Sequence, residues 1–190
     1  MIEIEKKLNP SPEIIERIKN DATFVKVITK NDILYDYKDL SLTKNDVWLR
    51  KRNGKFELKV SRDKNVKNRA LDIYDELEDE SKICEFLKIK SIESENFIEI
   101  VNLRTKRERY KLGEINIDFD YATSPYDDFV YSMMEVELMV EDESDSAISL
   151  EKIKAFMNKY GIEDKPAATK IMQYCYEKKR HIYDELMQYW

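Results

Sequence analysis

Residues Val47–Val60 have the sequence VWLRKRNGKFELKV, in which charged and apolar side chains alternate on both sides of an Asn-Gly pair. Asn53-Gly54 predicts a two-residue β-hairpin turn, because a type I′ turn needs positive φ at both central positions. Residues two apart on a strand share a face, so the hairpin has one ionic face and one apolar face. The turn fixes the pairs on the ionic face: Arg52 with Lys55, Arg50 with Glu57 and Trp48 with Lys59.

Two further parts of the chain repeat this division into faces. Gly113-Glu114 predicts a second hairpin, with a weaker turn signal, that pairs Arg109 with Asp118 and Arg107 with Asp120. The charged positions of the first and last predicted strands are Glu3, Glu5 and Lys7, and Glu135 and Glu137. The other face is apolar in the second hairpin and in the last strand.

Eight segments alternate with period two and are predicted strands. They are Ile2–Leu8, Phe24–Tyr35, Val47–Arg52, Lys55–Val60, Leu71–Glu78, Phe97–Leu112, Ile115–Asp120 and Met133–Glu141. Helices are predicted from Pro12, over Asp79–Lys88, over Ser146–Tyr160 and in the tail from Pro166. Because closure removes the edges of a sheet, we expect an α+β fold: a closed eight-stranded antiparallel β-barrel, or tunnel, with a charged interior and helices packed outside. Residues 1–190 are expected to form a single domain whose C-terminal helices begin at about residue 146.

The composition narrows the classes of function. Charged residues make up 38% of the chain, but 42% hydrophobic content and the regular alternation argue against disorder. The net charge of -6 lacks the basic surplus of a duplex nucleic-acid binder. Cys84 and Cys175 form neither a disulfide framework nor a zinc-binding spacing. No apolar run could span a membrane and no signal-peptide pattern opens the chain, so we expect a cytoplasmic protein with no membrane partner.

The charged strand faces could point to solvent, since antiparallel sheets often have one wet side. Three observations favour the interior instead. Arg and Glu are clustered, Trp48 lies on the charged face, and the apolar faces are rich enough to need helices over them. An enclosed ionic lining is costly unless its charges are paired or hold a ligand, so the lining predicts a binding site.

A bound triphosphate would account for both signs of charge in this lining. Arg and Lys from several directions hold a polyanion, and Arg adds bidentate geometry. Hydrolysis also needs a divalent cation to neutralise charge on the transferred phosphoryl group and to activate water. The candidate phosphate-binding residues are Lys7, Arg50, Arg52, Lys59 and Arg107. The candidate ligands for Mg²⁺, with Mn²⁺ as a substitute, are Glu3, Glu5, Glu135 and Glu137.

Glu3-x-Glu5-x-Lys7 resembles the N-terminal signature of the CYTH superfamily, the triphosphate tunnel metalloenzymes. Seven further segments carry the resemblance in order: Trp48-Leu49-Arg50-Lys51-Arg52, Glu57-Leu58-Lys59, Tyr74-Asp75-Glu76-Leu77, Thr105-Lys106-Arg107, Ile117-Asp118-Phe119-Asp120, Glu135-Val136-Glu137 and Ala168-Thr169-Lys170. The series spans nearly the whole chain. Within the superfamily the chain is most similar to the thiamine triphosphatases.

The resemblance implies Mg²⁺-dependent hydrolysis of thiamine triphosphate to thiamine diphosphate and phosphate. It implies the four metal ligands above and adds Lys170 to the phosphate-binding set. Glu76 and Asp118 match acidic positions linked to metal or water, and with Lys59 they are the candidate catalytic residues. Trp48 matches a tryptophan that lies against the thiamine heterocycle, where a cationic ring can stack on indole. Asp120 is expected to pair with Arg107.

Other functions remain open on the same residues. The tunnel could serve inorganic tripolyphosphate, an RNA 5′-triphosphate, or ATP cyclised as in class IV adenylate cyclases. Trp48 favours thiamine triphosphate, and the acidic net charge disfavours RNA. A non-catalytic polyphosphate-binding module has no need of clustered Glu in its cavity. The last alternative is an α+β interaction domain with solvated charged strands, although no obligate protein partner is evident.

Overall fold

The computed structural model describes residues 2–62, 74–141, 146–165 and 167–189, without the side chains of residues 2, 3 and 146. Within those ranges the chain forms one eight-stranded antiparallel sheet and six α-helices, which confirms the α+β class. The strands are β1 (Ile2–Leu8), β2 (Thr23–Asp36), β3 (Val47–Arg52), β4 (Lys55–Ser61), β5 (Tyr74–Leu77), β6 (Ile98–Leu112), β7 (Ile115–Thr123) and β8 (Val130–Val140). The helices are α1 (Pro12–Asp21), α2 (Ser41–Lys44), α3 (Glu80–Leu87), α4 (Ser146–Tyr160), α5 (Lys170–Lys178) and α6 (Arg180–Leu186).

Every predicted strand is present, with small differences at the ends. Residues 71–73 of the predicted fifth strand lie outside the described residues. Helix α2 was not predicted, because a single turn is too short to show a helical period. The buried carboxylate of Asp36 fixes this turn by accepting hydrogen bonds from the backbone N–H groups of Leu42 and Thr43, at 3.0 and 2.8 Å.

The sheet has the strand order β1-β8-β7-β6-β2-β3-β4-β5. Within the described residues the edge strands β1 and β5 each pair with one neighbour, so the expected closure of the barrel by hydrogen bonds is not observed there. The two edges nevertheless come within 8 Å of each other between Cα atoms. The sheet is therefore strongly curled, and its concave face encloses a cavity.

Both predicted hairpins have the expected register. The first pairs Trp48 with Lys59 and Arg50 with Glu57, and Asn53 and Gly54 have φ of 49° and 89° as a type I′ turn requires. The second pairs Arg109 with Asp118. The first turn is also tied to β2, since the Asn53 side chain accepts a hydrogen bond of 2.9 Å from the backbone N–H of Asn31. This contact helps to fix where the hairpin lies along β2.

Helices cover the convex face of the sheet at two places, as expected. Helices α1 and α4 pack Ile18, Ile153 and Phe156 against Ile4 and Val136 of the sheet. Helix α3 packs the fully buried Ile83 against Leu49 and Leu58. None of the helices in the described ranges has the length and apolar character that a membrane-spanning helix needs.

Helices α5 and α6 depart from the expected outside position. Met172 and Ile182 pack with Leu34, Trp48 and Leu103, which belong to the concave face. These helices therefore cover one end of the cavity. The sequence could not show this, because the apolar faces of the two helices fit either side of the sheet.

Candidate active site

The concave face of the sheet surrounds a cavity of about 380 Å³. Seven of the eight strands and the first turn of α5 supply its lining. The charged side chains in this lining are Glu5, Lys7, Lys30, Asp32, Arg50, Arg52, Lys59, Glu76, Arg107, Arg109, Glu135, Glu137 and Lys170. The ionic strand faces thus meet around one space, and cations outnumber carboxylates on its wall.

Two carboxylates lie directly opposite each other where β1 pairs with β8. Glu5 is the Cα partner of Glu137, and their exposed fractions are only 9% and 2%. Like charges at such a position destabilise a sheet, and burial strengthens the repulsion. Lys7 forms an ion pair with Glu5, and Arg109 lies 2.8 Å from Glu137. The site therefore concentrates negative charge that neighbouring cations offset.

The other two predicted metal ligands, Glu135 and Glu3, are not opposite another carboxylate where β1 pairs with β8. Lys7 is the Cα partner of Glu135, which also forms an ion pair with Arg107. Glu3 pairs through its backbone with Met139, and its side chain lies outside the described part of the chain. Glu135 and Glu137 both line the cavity, so three of the four predicted carboxylates are brought together there.

Arg107 stands at the centre of a buried ionic cluster. Its guanidinium donates hydrogen bonds to Asp118 at 2.6 Å and to Asp120 at 2.6 and 2.7 Å, and it also pairs with Glu135. Burial acts to raise the pKa of Glu135, but the charges of Arg107 and Lys170 outweigh it and hold that pKa well below its usual range. Glu135 is therefore ionised at neutral pH, with Arg107 as its partner in the cluster.

Asp118 and Asp120 lie behind the arginines. Both side chains have no exposed surface. Asp118 also accepts hydrogen bonds of 2.7 and 2.6 Å from Arg109. The expected pairing of Asp120 with Arg107 is confirmed, and Lys170 adds a contact of 3.1 Å. This geometry suits counter-ions that orient the cavity cations.

Glu76 occupies the opposite wall of the cavity, on β5. It lies 2.7 Å from Lys59 and 3.2 Å from Arg50, and 39% of its side chain is exposed. Burial acts to raise the pKa of Glu76, while Lys59 and the nearby arginines lower it, so that the net pKa is below the usual value. Of the two acidic residues predicted to be catalytic, Glu76 is the one that a water molecule can reach.

Lys170 enters the cavity from the first turn of α5. The preceding Thr169 is the N-cap of this helix, and its Oγ1 accepts a hydrogen bond of 3.2 Å from the backbone N–H of Met172. Thr169 and Ile171 also line the cavity. The cap thus fixes the position at which a cation and the positive end of a helix dipole meet the site.

Trp48 lies at the end of the cavity that α5 covers, with only 8% of its surface exposed. Its Nε1–H donates a hydrogen bond of 2.6 Å to Asp46, which also accepts one of 3.1 Å from the Tyr74 hydroxyl. Leu34 and Leu103 pack around the indole. The tryptophan is held in one orientation, and a ligand can contact only its uncovered edge.

Three charged residues of the lining were not among the predicted site residues. Lys30 and Asp32 come from β2, and Arg109 comes from β6. Asp32 accepts hydrogen bonds from Arg52 at 2.7 and 3.1 Å. Lys30 and Asp32 alternate in the sequence and share a face with Leu34. Because this face mixes charged and apolar positions, it lacks the run of charged positions by which the other strands were assigned to the cavity.

The donor chemistry of this site fits a hard divalent cation. Carboxylate oxygens are the ligands that Mg²⁺ prefers, and the opposed, buried pair of Glu5 and Glu137 would gain from a cation between them. Among the described residues no three Asp, Glu, His or Cys side chains converge closely enough to form a preformed metal site. Glu5 and Glu135 instead contact Lys7 and Arg107.

Comparison with known proteins finds matches over most of the chain. The family model of the CYTH domain matches residues 1–171. Curated relatives include the thiamine-triphosphatases of Homo sapiens and Macaca fascicularis, each 27% identical to this chain over 213 and 208 aligned residues. Each match covers 99% of this chain and 90% of the relative.

Solved structures share the fold at lower sequence identity. The PH1819 protein from Pyrococcus horikoshii OT3 has a TM-score of 0.63 and 24% identity, over 93% of this chain and 99% of that one. A Hippeastrum protein described as a candidate adenylyl cyclase with a dominant triphosphatase activity has a TM-score of 0.57 and 18% identity, over 89% of this chain and 92% of that one. Their architecture is similar to that of this chain.

Proposed function

The chain belongs to the CYTH domain family, and on that premise we propose that it is a metal-dependent hydrolase that converts thiamine triphosphate to thiamine diphosphate and phosphate. The observation that carries the proposal is the cavity, whose wall combines eight Lys and Arg side chains with the opposed carboxylates Glu5 and Glu137. A polyanion and a divalent cation together would satisfy both sets of charges. Residues 1–190 would act as one unit.

In this proposal the cations hold the substrate and stabilise developing negative charge. The phosphate-binding residues are Lys7, Arg50, Arg52, Lys59, Arg107 and Lys170. They come from four strands and one helix, so they surround the polyanion from several directions. Buried carboxylates such as Asp118 keep the guanidinium groups oriented before the substrate arrives, which lowers the reorganisation needed during reaction.

The acidic residues divide into two roles. Glu5, Glu135 and Glu137, with Glu3 from the same strand as Glu5, would hold Mg²⁺ or Mn²⁺. When bound, the ion neutralises charge on the transferred phosphoryl group and increases the acidity of water. Glu76 is the better candidate to orient the attacking water, because its side chain is partly exposed whereas Asp118 is fully buried. Lys59, which contacts Glu76, would hold that carboxylate and a phosphate oxygen together.

Two candidate substrates differ in whether an organic group is attached to the triphosphate. Thiamine triphosphate is supported by the names of the two curated relatives and by Trp48 at one end of the cavity. A second candidate is inorganic tripolyphosphate, which is favoured by the burial of Trp48, since an indole that is 8% exposed offers a small stacking surface. Both substrates need the same phosphate and metal contacts.

Phosphate release from thiamine triphosphate, tripolyphosphate and ATP, each with Mg²⁺, with Mn²⁺ and with EDTA, tests the proposal. We expect metal-dependent release that is fastest with thiamine triphosphate and absent with EDTA. Arg50→Met should lower it, whereas Lys51→Met on the outer face of the same strand should not. Release from none of the three substrates would overturn the enzyme assignment, and equal rates for thiamine triphosphate and tripolyphosphate would remove the case for thiamine.

A further inference from the structure

Lys30 differs from the other cations of the cavity. Seven of the eight, all but Lys30, form ion pairs with carboxylates of the protein. Within the ranges that the structure describes, no carboxylate lies within ion-pair distance of the half-buried Lys30. The same face of the neighbouring strand carries its Cα partner Thr105, a fully buried residue whose hydroxyl has no hydrogen-bond partner among the described residues. Two adjacent polar groups therefore lack partners in the part of the chain that the structure describes.

The surroundings of Lys30 are predominantly cationic. Arg107 of β6, Arg52 of β3 and Lys170 of α5 act on its charge, and Asp120 of β7 and Glu135 of β8 oppose them. Asp32, two residues along β2, also lines the cavity and pairs with Arg52. Burial first, and then the three cations, lower the pKa of the Lys30 ammonium to about 8. An anion bound beside Lys30 would therefore stabilise its charged form.

The register of the strands places Lys30 far from Trp48 along the cavity, although Arg107 and Arg109 lie further still. Along β2, Leu34 is opposite Arg50 and Asp32 is opposite Arg52, so Lys30 lies one step beyond the turn of the hairpin. The level of Trp48 lies in the other direction, about six residues or roughly 20 Å along an extended strand. A ligand that reaches both residues is elongated.

We propose that Lys30 is a substrate-binding residue that holds the terminal phosphoryl group of the triphosphate, in a part of the cavity remote from Trp48. This inference rests on the proposed function for the identity of the anion. Among the described residues no carboxylate pairs with this ammonium group, and in this proposal the substrate supplies the counter-charge. Lys30 therefore acts on the part of the substrate that thiamine triphosphate and tripolyphosphate share.

Calorimetric binding of inorganic tripolyphosphate in EDTA tests this assignment without catalysis. Lys30→Met should weaken binding by about tenfold or more, as loss of a charged hydrogen bond does, while Lys30→Arg retains most of it. Lys106→Met is the matched control, because Lys106 lies on the adjacent strand, pairs with Thr29 and is 58% exposed on the outer face. Lys30→Gln provides a second neutral variant should methionine disturb the fold.

A kinetic measurement separates binding from a structural role. Lys30→Met should raise KM by similar factors for thiamine triphosphate and tripolyphosphate, and Lys30→Arg should restore it. Equal tripolyphosphate affinities for the wild type and both neutral variants would overturn the role of Lys30 while leaving the hydrolase proposal intact. Lys30-dependent binding without phosphate release from any substrate would support this anion site and overturn the hydrolase proposal.

Discussion

Glu5 and Glu137 show at the scale of single residues how charge repulsion can serve a site. We expect Glu5→Gln to lower metal-dependent phosphate release by about a hundredfold or more, because an anionic ligand is lost where charge must be stabilised. The unfolding free energy should change by less than about 1 kcal/mol, since relief of the repulsion with Glu137 offsets the lost contact with Lys7. Denaturant unfolding and phosphate release measure the two effects.

Glu99→Gln is the control for this substitution. Glu99 lies on β6 with an exposed side chain, and it is not part of the cavity lining. The Glu99→Gln variant should have the activity and the unfolding free energy of the wild type. Full activity of Glu5→Gln would contradict the assignment of Glu5 as a metal ligand.

Asp46 is expected to act on substrate choice through Trp48. Asp46→Asn keeps the side-chain shape and suits the positive φ of 54° at this position, but it removes the charge that receives the indole N–H and the Tyr74 hydroxyl. Loss of a charge-assisted acceptor should cost about 1–2 kcal/mol in the unfolding free energy. We expect KM to rise for thiamine triphosphate and to stay the same for tripolyphosphate. Equal rises in KM for the two substrates would contradict a role in positioning the indole.

The pKa of Lys30 predicts a specific dependence of stability on pH. Burial and the neighbouring cations lower this pKa from 10.5 to about 8 in the folded protein. Between these two values the unfolded chain binds the proton and the folded chain does not, so the unfolding free energy rises with pH. Below about 8 both states are protonated, and this contribution is constant.

Comparison with Lys30→Met isolates this contribution from the other titrating groups. Unfolding free energies of the two proteins, measured by denaturant at pH 7.5 and pH 9.5, give the test. The wild type should gain stability relative to Lys30→Met over this interval. A difference that is constant or that falls as pH rises would contradict the lowered pKa.

At the scale of elements, the sequence predicted best those parts whose partners are joined by a tight turn. Asn53-Gly54 fixes the register of β3 and β4 because the turn permits one pairing, and the observed pairs agree. Strand β2 has no such turn to its neighbour β6, which lies about 60 residues further along the chain. Lys30 and Asp32 were missed for this reason, since their face could not be matched to Arg107 and Arg52 from local pattern alone.

Helix α5 carries the element-scale prediction, because its N-cap fixes the position of Lys170. Thr169→Ala removes the acceptor for the backbone N–H of Met172 and should lower the unfolding free energy by about 1 kcal/mol. Lys170 would then be less well positioned, so KM should rise for every triphosphate. Denaturant unfolding and phosphate-release kinetics measure these changes.

Asp79→Ala is the matched control for loss of a cap. Asp79 is the N-cap of α3, where it accepts hydrogen bonds from Ser81 and Lys82, and α3 packs on the convex face away from the cavity. The Asp79→Ala variant should lose about as much unfolding free energy as Thr169→Ala, with no change in KM. If both variants change KM equally, the effect is one of general stability and not of Lys170.

At the scale of the whole molecule, the sequence predicted the presence of the ionic interior but not how the chain closes around it. Pairing of β1 with β8 joins the two ends of the strand series, and no local pattern specifies it. The same holds for α5 and α6, which cover an end of the cavity. The net charge of -6 is also a poor guide to the charge of the site, because cations outnumber carboxylates on the wall of the cavity.

The curled sheet predicts that a polyanion stabilises the strands at its two edges. Lys7 on β1 and Lys59, which contacts Glu76 on β5, both face the cavity, so a triphosphate bound between them would draw the edges together. Binding to the folded state alone should raise the melting temperature as ligand concentration rises. Amide hydrogen exchange should slow in β1 and β5 on addition of tripolyphosphate with Mg²⁺, but not on addition of sulfate at equal ionic strength. Lys7→Met should remove the protection of β1 because that edge loses its contact with the ligand, and protection of β1 that is unchanged in this variant would contradict a ligand shared between the two edges.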